Sequence, residues 1–230
     1  MIKTVFLDLD DTVFDFLACE RVAISKTLLA FSVESTEEII KKYSEFNKMQ
    51  WEALERGEIT RDEVVTRRFK LLFDYLGRAV DPWAVQAHYQ EYLSCEHIFM
   101  DGGEELLTEL SASKKYKLYA ATNGLARVQW RRIRESGIDK FFDGFFISEE
   151  MGANKPSPVF FEACFEKIEG FDKESTIIIG DSMSSDIKGG VGVGIKTCLF
   201  NPRRKLISGE LVPDYEIHSL KEIIPLLEKL

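Results

Sequence analysis

The sequence predicts an α/β fold, in which a doubly wound parallel sheet forms the core and an α-helical bundle is inserted as a cap. Short apolar runs, such as Val5–Leu7 and Thr176–Ile179, recur along the chain and alternate with helical patterns after Gly103. Continuous apolar, β-branched runs are typical of parallel strands that are buried on both faces. Strands that alternate with helices indicate right-handed crossovers, and hence a doubly wound sheet.

The segment between Ala18 and Cys95 shows no strand pattern and has helical spacing throughout. Three helix starts are visible in it: Thr36 ahead of two acidic residues, a capping box from Thr60 to Glu63, and the pair Asp81-Pro82. We therefore expect about four helices in this insert.

After the insert, strand and helix patterns alternate to the end of the chain. The predicted strands are Lys117–Ala121, Phe145–Ser148, Thr176–Ile179, Lys196–Phe200 and Tyr215–Ile217. The predicted helices are Glu104–Leu110, Leu125–Ser136, Pro158–Ile168 and Leu220–Leu230, and residues 201–213 are predicted to be a loop. The pattern divides the chain into a core domain, residues 1–16 and 97–230, and a helical cap domain, residues 17–96.

The composition excludes several classes of partner. Of the 230 residues, 45% are hydrophobic, and the formal net charge is −9. An acidic chain lacks the basic face that a nucleic-acid polymer requires, although a bound metal can still bring a small anion to an acidic site. The cysteines and histidines are scattered, so we expect reduced thiols and no zinc cluster. Because no signal peptide and no bilayer-spanning stretch is visible, we expect a cytoplasmic protein that does not bind membranes.

Two carboxylates follow the first predicted strand directly. Asp8 and Asp10 are two residues apart, and side chains repeat with a period of two along a strand, so both should point the same way. Like charges this close raise each other's pKa unless a cation holds them. The pair indicates a divalent-metal site at the carboxyl end of a strand, where open α/β sheets place their chemistry. A polar turn after the strand is the alternative.

Three further segments carry polar residues suited to phosphate chemistry. Thr122-Asn123-Gly124 lie between a strand and a helix, where a hydroxyl and backbone N–H groups can bind an anion, although the same residues also make an ordinary helix cap. Lys155 lies in a loop stiffened by two prolines, which suits a fixed cation; simple solvation is the alternative. Asp181 and Asp186 follow another strand and could complete a hard-cation site with oxygen ligands.

Taken as a set, these residues resemble the haloacid dehalogenase (HAD) superfamily, and within it the phosphatases whose helical cap follows the first strand of a Rossmann-like core. The resemblance covers the whole chain. Its four motifs occur in order: Asp8, Asp10 and Thr12; Thr122; Lys155; and Gly180, Asp181 and Asp186. The amino-acid sequence around these motifs is similar to that of the pyrimidine 5′-nucleotidase subgroup, in residues 10–16, 122–124, 180–190 and 194–202. Subgroups that act on sugar phosphates share much of this sequence.

The resemblance implies a role for each acidic residue. Asp8 would be the nucleophile that forms an aspartyl-phosphate, and Asp10 would serve as general acid and then as general base. Mg²⁺ would be held by Asp8, by the backbone carbonyl of Asp10, by Asp181 and, directly or through a neighbour, by Asp186. Lys155 would pair with Asp186 or Asp8 and orient them.

The resemblance also implies how substrate is held. The residues that would bind the phosphate are Asp8, Thr122, Asn123, Gly124 and Lys155. The helical insert would close as a lid, and the aromatic candidates to contact the leaving group are Phe14, Phe16, Tyr43, Phe46 and Trp51. The remaining polar or aromatic residues after the phosphate loop are explained more simply as one face of a helix: Arg127, Gln129, Trp130 and Arg132.

The implied activity is Mg²⁺-dependent hydrolysis of a small phosphorylated metabolite, with a pyrimidine nucleoside monophosphate favoured, by a monomer or a weak homodimer. A sugar-phosphate phosphatase or phosphomutase is an alternative on the same scaffold. A 2-haloacid dehalogenase is another, although its chemistry needs neither Asp10 nor Asp181. The last alternative is a non-catalytic binding module, although every catalytic position is filled.

Overall fold

A computed structural model describes residues 1–207 and 209–230, in two compact units. One unit comprises Met1–Asp15 and Ile98–Leu230, and the other comprises Phe16–His97. The core domain and the cap domain expected from the sequence remain predictions, because a compact unit need not fold or move by itself.

The first unit is built on a six-stranded parallel sheet. Its strands are β1 (Thr4–Leu7), β2 (Lys117–Thr122), β3 (Gly144–Ile147), β4 (Thr176–Gly180), β5 (Lys196–Phe200) and β6 (Tyr215–Ile217). Their order across the sheet is β3-β2-β1-β4-β5-β6, and every neighbouring pair is parallel. The predicted α/β class with a doubly wound parallel sheet is confirmed.

The second unit consists of helices, and three of them begin where the sequence predicts. The helices are α1 (Phe16–Ala30), α2 (Glu37–Glu55), α3 (Arg61–Tyr75) and α4 (Pro82–Ser94). Thr36 caps α2, Thr60 and Glu63 form the capping box of α3, and Asp81 caps α4 with Pro82 in its first turn. Each cap gives a backbone N–H of the first turn the acceptor that the helix itself cannot supply.

The helices of the first unit lie between its strands along the chain, apart from the last, which follows β6. They are α5 (Gly103–Ser113), α6 (Ala126–Ser136), α7 (Ser148–Met151), α8 (Pro158–Glu166), α9 (Lys188–Val193) and α10 (Ile223–Lys229). The strand predicted at Phe145–Ser148 lies one residue earlier, because Ser148 already begins α7. Within the described residues, no helix is both long and apolar enough to cross a membrane.

Apolar side chains cover both faces of the sheet and hold the end of β1 in place. Val5 and Leu7 pack into the layer on one face, and Phe6 packs into the layer on the other. This alternation is what a strand dictates, and all four residues of β1 are buried. Since β1 lies between β2 and β4, with Leu7 beside Ala120 and Ile179, the residues that follow these three strands meet at one edge.

Candidate active site

The polar segments predicted from three strand ends lie together at the carboxyl edge of the sheet. Asp8 follows β1, Thr122 is the last residue of β2, and Asp181 follows β4. The backbone N–H of Asp8 donates to the Ile179 carbonyl at 3.0 Å, which continues the pairing of β1 with β4 by one residue. Asp8 is therefore fixed by backbone hydrogen bonding before any side chain contributes.

The Lys155 ammonium joins the segments of this edge. Its Nζ donates to Asp8 Oδ1, to Asp186 Oδ1 and to the Ala121 carbonyl oxygen, each at 2.6 Å. The side chain is 1% exposed, so simple solvation is wrong as its explanation. An ammonium has three N–H donors, and here the protein uses all three. A direct hydrogen bond from Lys155 to a phosphate would have to replace one of them.

The loop that carries Lys155 is anchored by the Asn123 side chain. Asn123 Oδ1 accepts from the Lys155 backbone N–H at 2.8 Å, and Asn123 Nδ2 donates to the Lys155 carbonyl at 2.9 Å. The amide thus pairs with one backbone residue as a neighbouring strand would. Asn123 was expected to offer its backbone N–H to phosphate; the role of its side chain had no signal in the sequence.

Two of the acceptors around the Lys155 ammonium, Asp8 and Asp186, form an acidic cluster with Asp181. One oxygen from each of Asp8, Asp181 and Asp186 lies within 4.8 Å of the others. Burial raises the pKa of Asp8 to about 8; Lys155 opposes this and the Asp186 charge adds to it. Burial, followed by the charges of Asp8 and Asp186, also raises the pKa of Asp181 well above its usual range. When all three carboxyl groups are ionised, their charge exceeds that of the Lys155 ammonium.

Asp186 is held rigidly within this cluster. It is fully buried; its Oδ1 accepts from Lys155, and its Oδ2 accepts from the Ser182 backbone N–H at 3.1 Å. A Cβ at residue 180 would lie 2.2 Å from Asp186 Oδ2. Gly180 is therefore required because the carboxylate approaches the end of β4 too closely for any side chain.

The Asp10 carboxylate has different partners. Arg132 Nη1 donates to Asp10 Oδ1 at 2.5 Å, and Gln129 Nε2 donates to Asp10 Oδ2 at 2.8 Å. Among the described residues, the acidic cluster does not include the Asp10 side chain. The sequence predicted that the carboxylates of Asp8 and Asp10 share one cation. The structure instead groups the Asp8 carboxylate with those of Asp181 and Asp186. If Asp10 contributes a ligand, that ligand is its backbone carbonyl.

The explanation of Gln129 and Arg132 as a plain helix face is wrong. Both are 1% exposed, whereas Arg127, on the same helix, is exposed. The buried residues of α6 are Val128, Gln129, Arg132 and Ile133, which form one helical stripe. Two polar residues within an otherwise apolar stripe were the signal that could have revealed them.

The Thr122 hydroxyl is oriented by two donors. Its Oγ1 accepts from the Gly124 backbone N–H at 3.0 Å and from Gln129 Nε2 at 2.8 Å. A hydroxyl has two acceptor lone pairs and a single hydrogen. With both lone pairs occupied, the O–H of Thr122 can only donate, which is the polarity that an anion requires.

This geometry agrees with a comparison against known protein families. Residues 2–194 match the model of a family described as haloacid dehalogenase-like hydrolases. The chain belongs to this family. It is therefore an enzyme of the hydrolase class, and the superfamily resemblance of its motifs is confirmed.

Individual HAD-like hydrolases match over nearly their whole length. The HAD-hydrolase YfnB of Bacillus subtilis (strain 168) is 37% identical over 225 residues, which are 98% of this chain and 95% of the relative. Its orthorhombic crystal structure, bound to magnesium and showing interdomain movement, matches with a TM-score of 0.94 over 98% of each chain. The pyrimidine 5′-nucleotidase PynA of Streptococcus pneumoniae (strain ATCC BAA-255 / R6) is 36% identical over 99% of this chain and 95% of its own. The pyrimidine 5′-nucleotidase YjjG of Escherichia coli (strain K12) is 28% identical over 98% and 97%. These relatives are consistent with the nucleotidase subgroup.

The donor set of this HAD-like hydrolase fits a hard divalent cation. Magnesium and calcium prefer carboxylate and carbonyl oxygens, and the cluster of Asp8, Asp181 and Asp186 offers oxygen atoms only. A divalent ion would also lower the pKa values of Asp8 and Asp181, which burial and, after it, the charges of neighbouring carboxylates raise.

The aromatic candidates for substrate contact separate by burial. Phe14 and Tyr43 are fully buried, each within its own unit, and their rings pack on Phe99 and Phe69. Both side chains pack in the interior of those units, so neither can contact a leaving group. The other three candidates, Phe16, Phe46 and Trp51, are half-buried.

Proposed function

We propose that this protein is a Mg²⁺-dependent phosphomonoester hydrolase that works through an aspartyl-phosphate. The observation that carries the proposal is the setting of Asp8. Its carboxylate lies at the carboxyl end of the central strand β1, bonded to the buried Lys155 and beside the carboxylates of Asp181 and Asp186. A nucleophile held by a cation and beside a cation-binding cluster suits attack on a dianionic ester.

The reaction proceeds in two displacements at phosphorus. In the first, an oxygen of Asp8 forms the bond to phosphorus while the ester P–O bond breaks, and Asp10 gives its proton to the departing alkoxide. In the second, Asp10 takes a proton from water, and the water oxygen displaces Asp8 to release inorganic phosphate. One group serves as acid and then as base, so no proton is left over.

The remaining residues lower the charge that builds up on the phosphoryl oxygens. Mg²⁺, held by Asp8, Asp181, Asp186 and the Asp10 carbonyl, would supply the positive charge that lets a dianion enter an acidic site. The Thr122 hydroxyl donates to a phosphoryl oxygen, since both of its lone pairs are already occupied. The N–H group of Asn123 and the charge of Lys155 complete this set, whereas the Gly124 N–H already donates to Thr122 and orients its hydroxyl. Loss of one such stabiliser costs on the order of 3 kcal/mol in barrier.

The substrate is a small phosphorylated metabolite, and we favour a pyrimidine nucleoside 5′-monophosphate. Support comes from PynA and YjjG, which are nucleotidases of this kind and match nearly the full chain. A dehalogenase would have no use for the acidic cluster, since displacement at carbon needs no divalent cation. We place the enzyme in the cytoplasm, as a monomer or a weak homodimer.

A panel of esters tests the proposal. Phosphate release with Mg²⁺ would be measured for UMP, dUMP, dTMP, AMP, GMP, glucose 1-phosphate, glucose 6-phosphate and p-nitrophenyl phosphate, and compared by kcat/KM. We expect a pyrimidine nucleotide to be the best substrate. If a sugar phosphate exceeds every nucleotide tenfold, about 1.4 kcal/mol of transition-state binding, the nucleotidase assignment fails and the phosphatase assignment stands. If no ester is hydrolysed, or glucose 1-phosphate is isomerised without phosphate release, the phosphatase assignment fails as well.

A further inference from the structure

We propose that Gln129 and Arg132 are positioning residues that lock the Asp10 carboxylate and the Thr122 hydroxyl into one hydrogen-bonded unit. The proton-transfer group and a phosphate-binding group would then be set relative to each other by the protein before substrate arrives. This inference rests on the proposed phosphatase function, and adds to it two residues of α6 that the proposed reaction does not use.

The hydrogen bonds around Asp10 form a closed ring. Arg132 Nη1 donates to Asp10 Oδ1 at 2.5 Å and to Gln129 Oε1 at 2.8 Å, and Gln129 Nε2 donates to Asp10 Oδ2 at 2.8 Å. Each oxygen of a carboxylate has two lone pairs. One donor on each oxygen therefore fixes the plane of the Asp10 carboxylate and leaves each oxygen a lone pair with which to carry or accept a proton.

The ring also fixes which way the Gln129 amide points. Its Oε1 must accept from Arg132, because a guanidinium has donors only. The two hydrogens on Nε2 are then assigned, one to Asp10 Oδ2 and the other to Thr122 Oγ1. A single amide thus connects the proposed general acid to the phosphate-binding hydroxyl, and it leaves the Thr122 hydrogen free to point at an anion.

Close packing keeps both side chains in this position. A Cβ at residue 124 would lie 2.4 Å from Gln129 Nε2, so Gly124 provides the space through which the amide reaches Thr122. The Arg132 guanidinium carbon lies 4.7 Å from the centre of the buried Phe14 ring, and the arginine side chain is 1% exposed. Leaving this position would strand a buried charge, which is costly.

The first test compares hydrolysis of two esters whose leaving groups differ in their need for a proton. Expulsion of an alkoxide needs the proton from Asp10, whereas p-nitrophenolate leaves without one, and kcat/KM reports only the steps up to phosphoryl transfer. For Arg132→Met we expect kcat/KM to fall about 100-fold on the alkyl ester that the wild type hydrolyses fastest, and less than about 10-fold on p-nitrophenyl phosphate. Arg132→Lys keeps the charge but cannot supply the same planar donors, so it should show the same asymmetry.

The matched control is the adjacent residue. Arg131 lies on the outer side of α6 and pairs with Glu135 at 2.7 Å, with 38% of its side chain exposed. Arg131→Met should hydrolyse both esters as the wild type does. Circular dichroism and thermal unfolding show which variants fold; if Arg132→Met does not fold, Arg132→Lys and Arg132→Gln carry the comparison.

The second test concerns the connection to Thr122. Gln129→Leu removes a donor from Asp10 and a donor from Thr122, so it should show the leaving-group asymmetry and also raise the inhibition constant of inorganic phosphate about tenfold. Arg132→Met should leave that inhibition constant within twofold of the wild type, because Thr122 keeps its donors.

The outcomes separate the two proposals. Wild-type hydrolysis of alkyl esters supports the proposed function whatever the variants do. Equal losses on both esters in every folded Arg132 variant would overturn the positioning role. An unchanged phosphate inhibition constant in Gln129→Leu would overturn the connection between Asp10 and Thr122.

Discussion

Each of the two units buries a group of charged and amide side chains, but the two groups differ in charge balance. In the sheet unit, the Lys155 ammonium binds the carboxylates of Asp8 and Asp186, and the carboxylate of Asp181 lies beside them. In the helical unit, one carboxylate, Glu20, and one guanidinium, Arg68, are bridged by an amide. That cluster is electrically neutral, whereas the first carries excess negative charge once its carboxyl groups are ionised.

The neutral cluster connects all four helices of its unit. Glu20 on α1 accepts from Asn47 on α2 at 2.5 Å; Arg68 on α3 donates to Asn47 at 2.8 Å and to Gln86 on α4 at 2.6 Å. The opposite charges of Glu20 and Arg68 balance without an added ion, and the cluster leaves Arg68 Nε and Gln86 Nε2 buried without a hydrogen bond among the described residues. Buried charge alone therefore does not indicate a binding site; an imbalance of buried charge does, and a balanced network holds helices in register.

The largest expected effect is on the unbalanced cluster. Asp8→Asn should lower phosphate release from p-nitrophenyl phosphate by on the order of 10⁴-fold, since no nucleophile remains. In EDTA it should not destabilise the fold, because it removes one of three mutually repelling carboxylates. Phosphate release and urea unfolding measure the two results. Unchanged turnover in this variant would refute the catalytic role of Asp8.

The neutral cluster should respond in the opposite way. Arg68→Met leaves the buried Glu20 without its counter-charge, so the free energy of unfolding in urea should fall by about 3 kcal/mol. The double variant Glu20→Gln/Arg68→Met should lose less than the sum of the two single variants. Arg67→Met is the control, because Arg67 is an exposed residue of α3 that pairs with Glu63 on the same helix; it should change the free energy by less than about 0.5 kcal/mol. Equal losses at both arginines would remove the distinction between the clusters.

The smallest expected effect is a pH dependence confined to the unbalanced cluster. The pKa of Asp8 is raised from 3.8 to about 8, and that of Asp181 is raised too. The folded protein therefore holds these protons more tightly than the unfolded chain does. In EDTA this contribution to stability is present near pH 4 and is lost as the pH rises toward 8. Mg²⁺ binds the ionised carboxylates. The increase in Tm that Mg²⁺ produces should therefore be larger at pH 8 than at pH 5. Asp181→Asn should reduce this increase, and the same increase at both pH values would contradict the cation site.

Most of the fold and the acidic part of the site were predictable because each signal is local. A strand that is followed by Asp8 or Asp181 can be recognised from a few consecutive residues. The carboxyl ends of neighbouring parallel strands then lie at the same edge of the sheet. The partners of Asp10 were not predictable in this way. Gln129 and Arg132 are more than 100 positions away along the chain, 119 and 122 respectively, and only the order of β1 and β2 in the sheet brings them to Asp10.

The cluster of the helical unit was missed for a related reason. The positions of Glu20, Asn47 and Arg68 fit the inner sides of their helices, yet helical periodicity assigns such positions to apolar residues. Which polar residues compensate one another depends on how four helices pack, and periodicity along one helix does not contain that information.

The three acceptors around Lys155 Nζ restrict which side chain can occupy position 155. They surround a single tetrahedral nitrogen, each at 2.6 Å. Arginine carries the same charge but spreads its donors over a flat fork, and therefore cannot direct three hydrogens from one atom. Successive N-methylation of this lysine would remove the three hydrogen bonds one by one without removing the positive charge. The position therefore selects a side chain by the geometry of its donors and not by its charge alone.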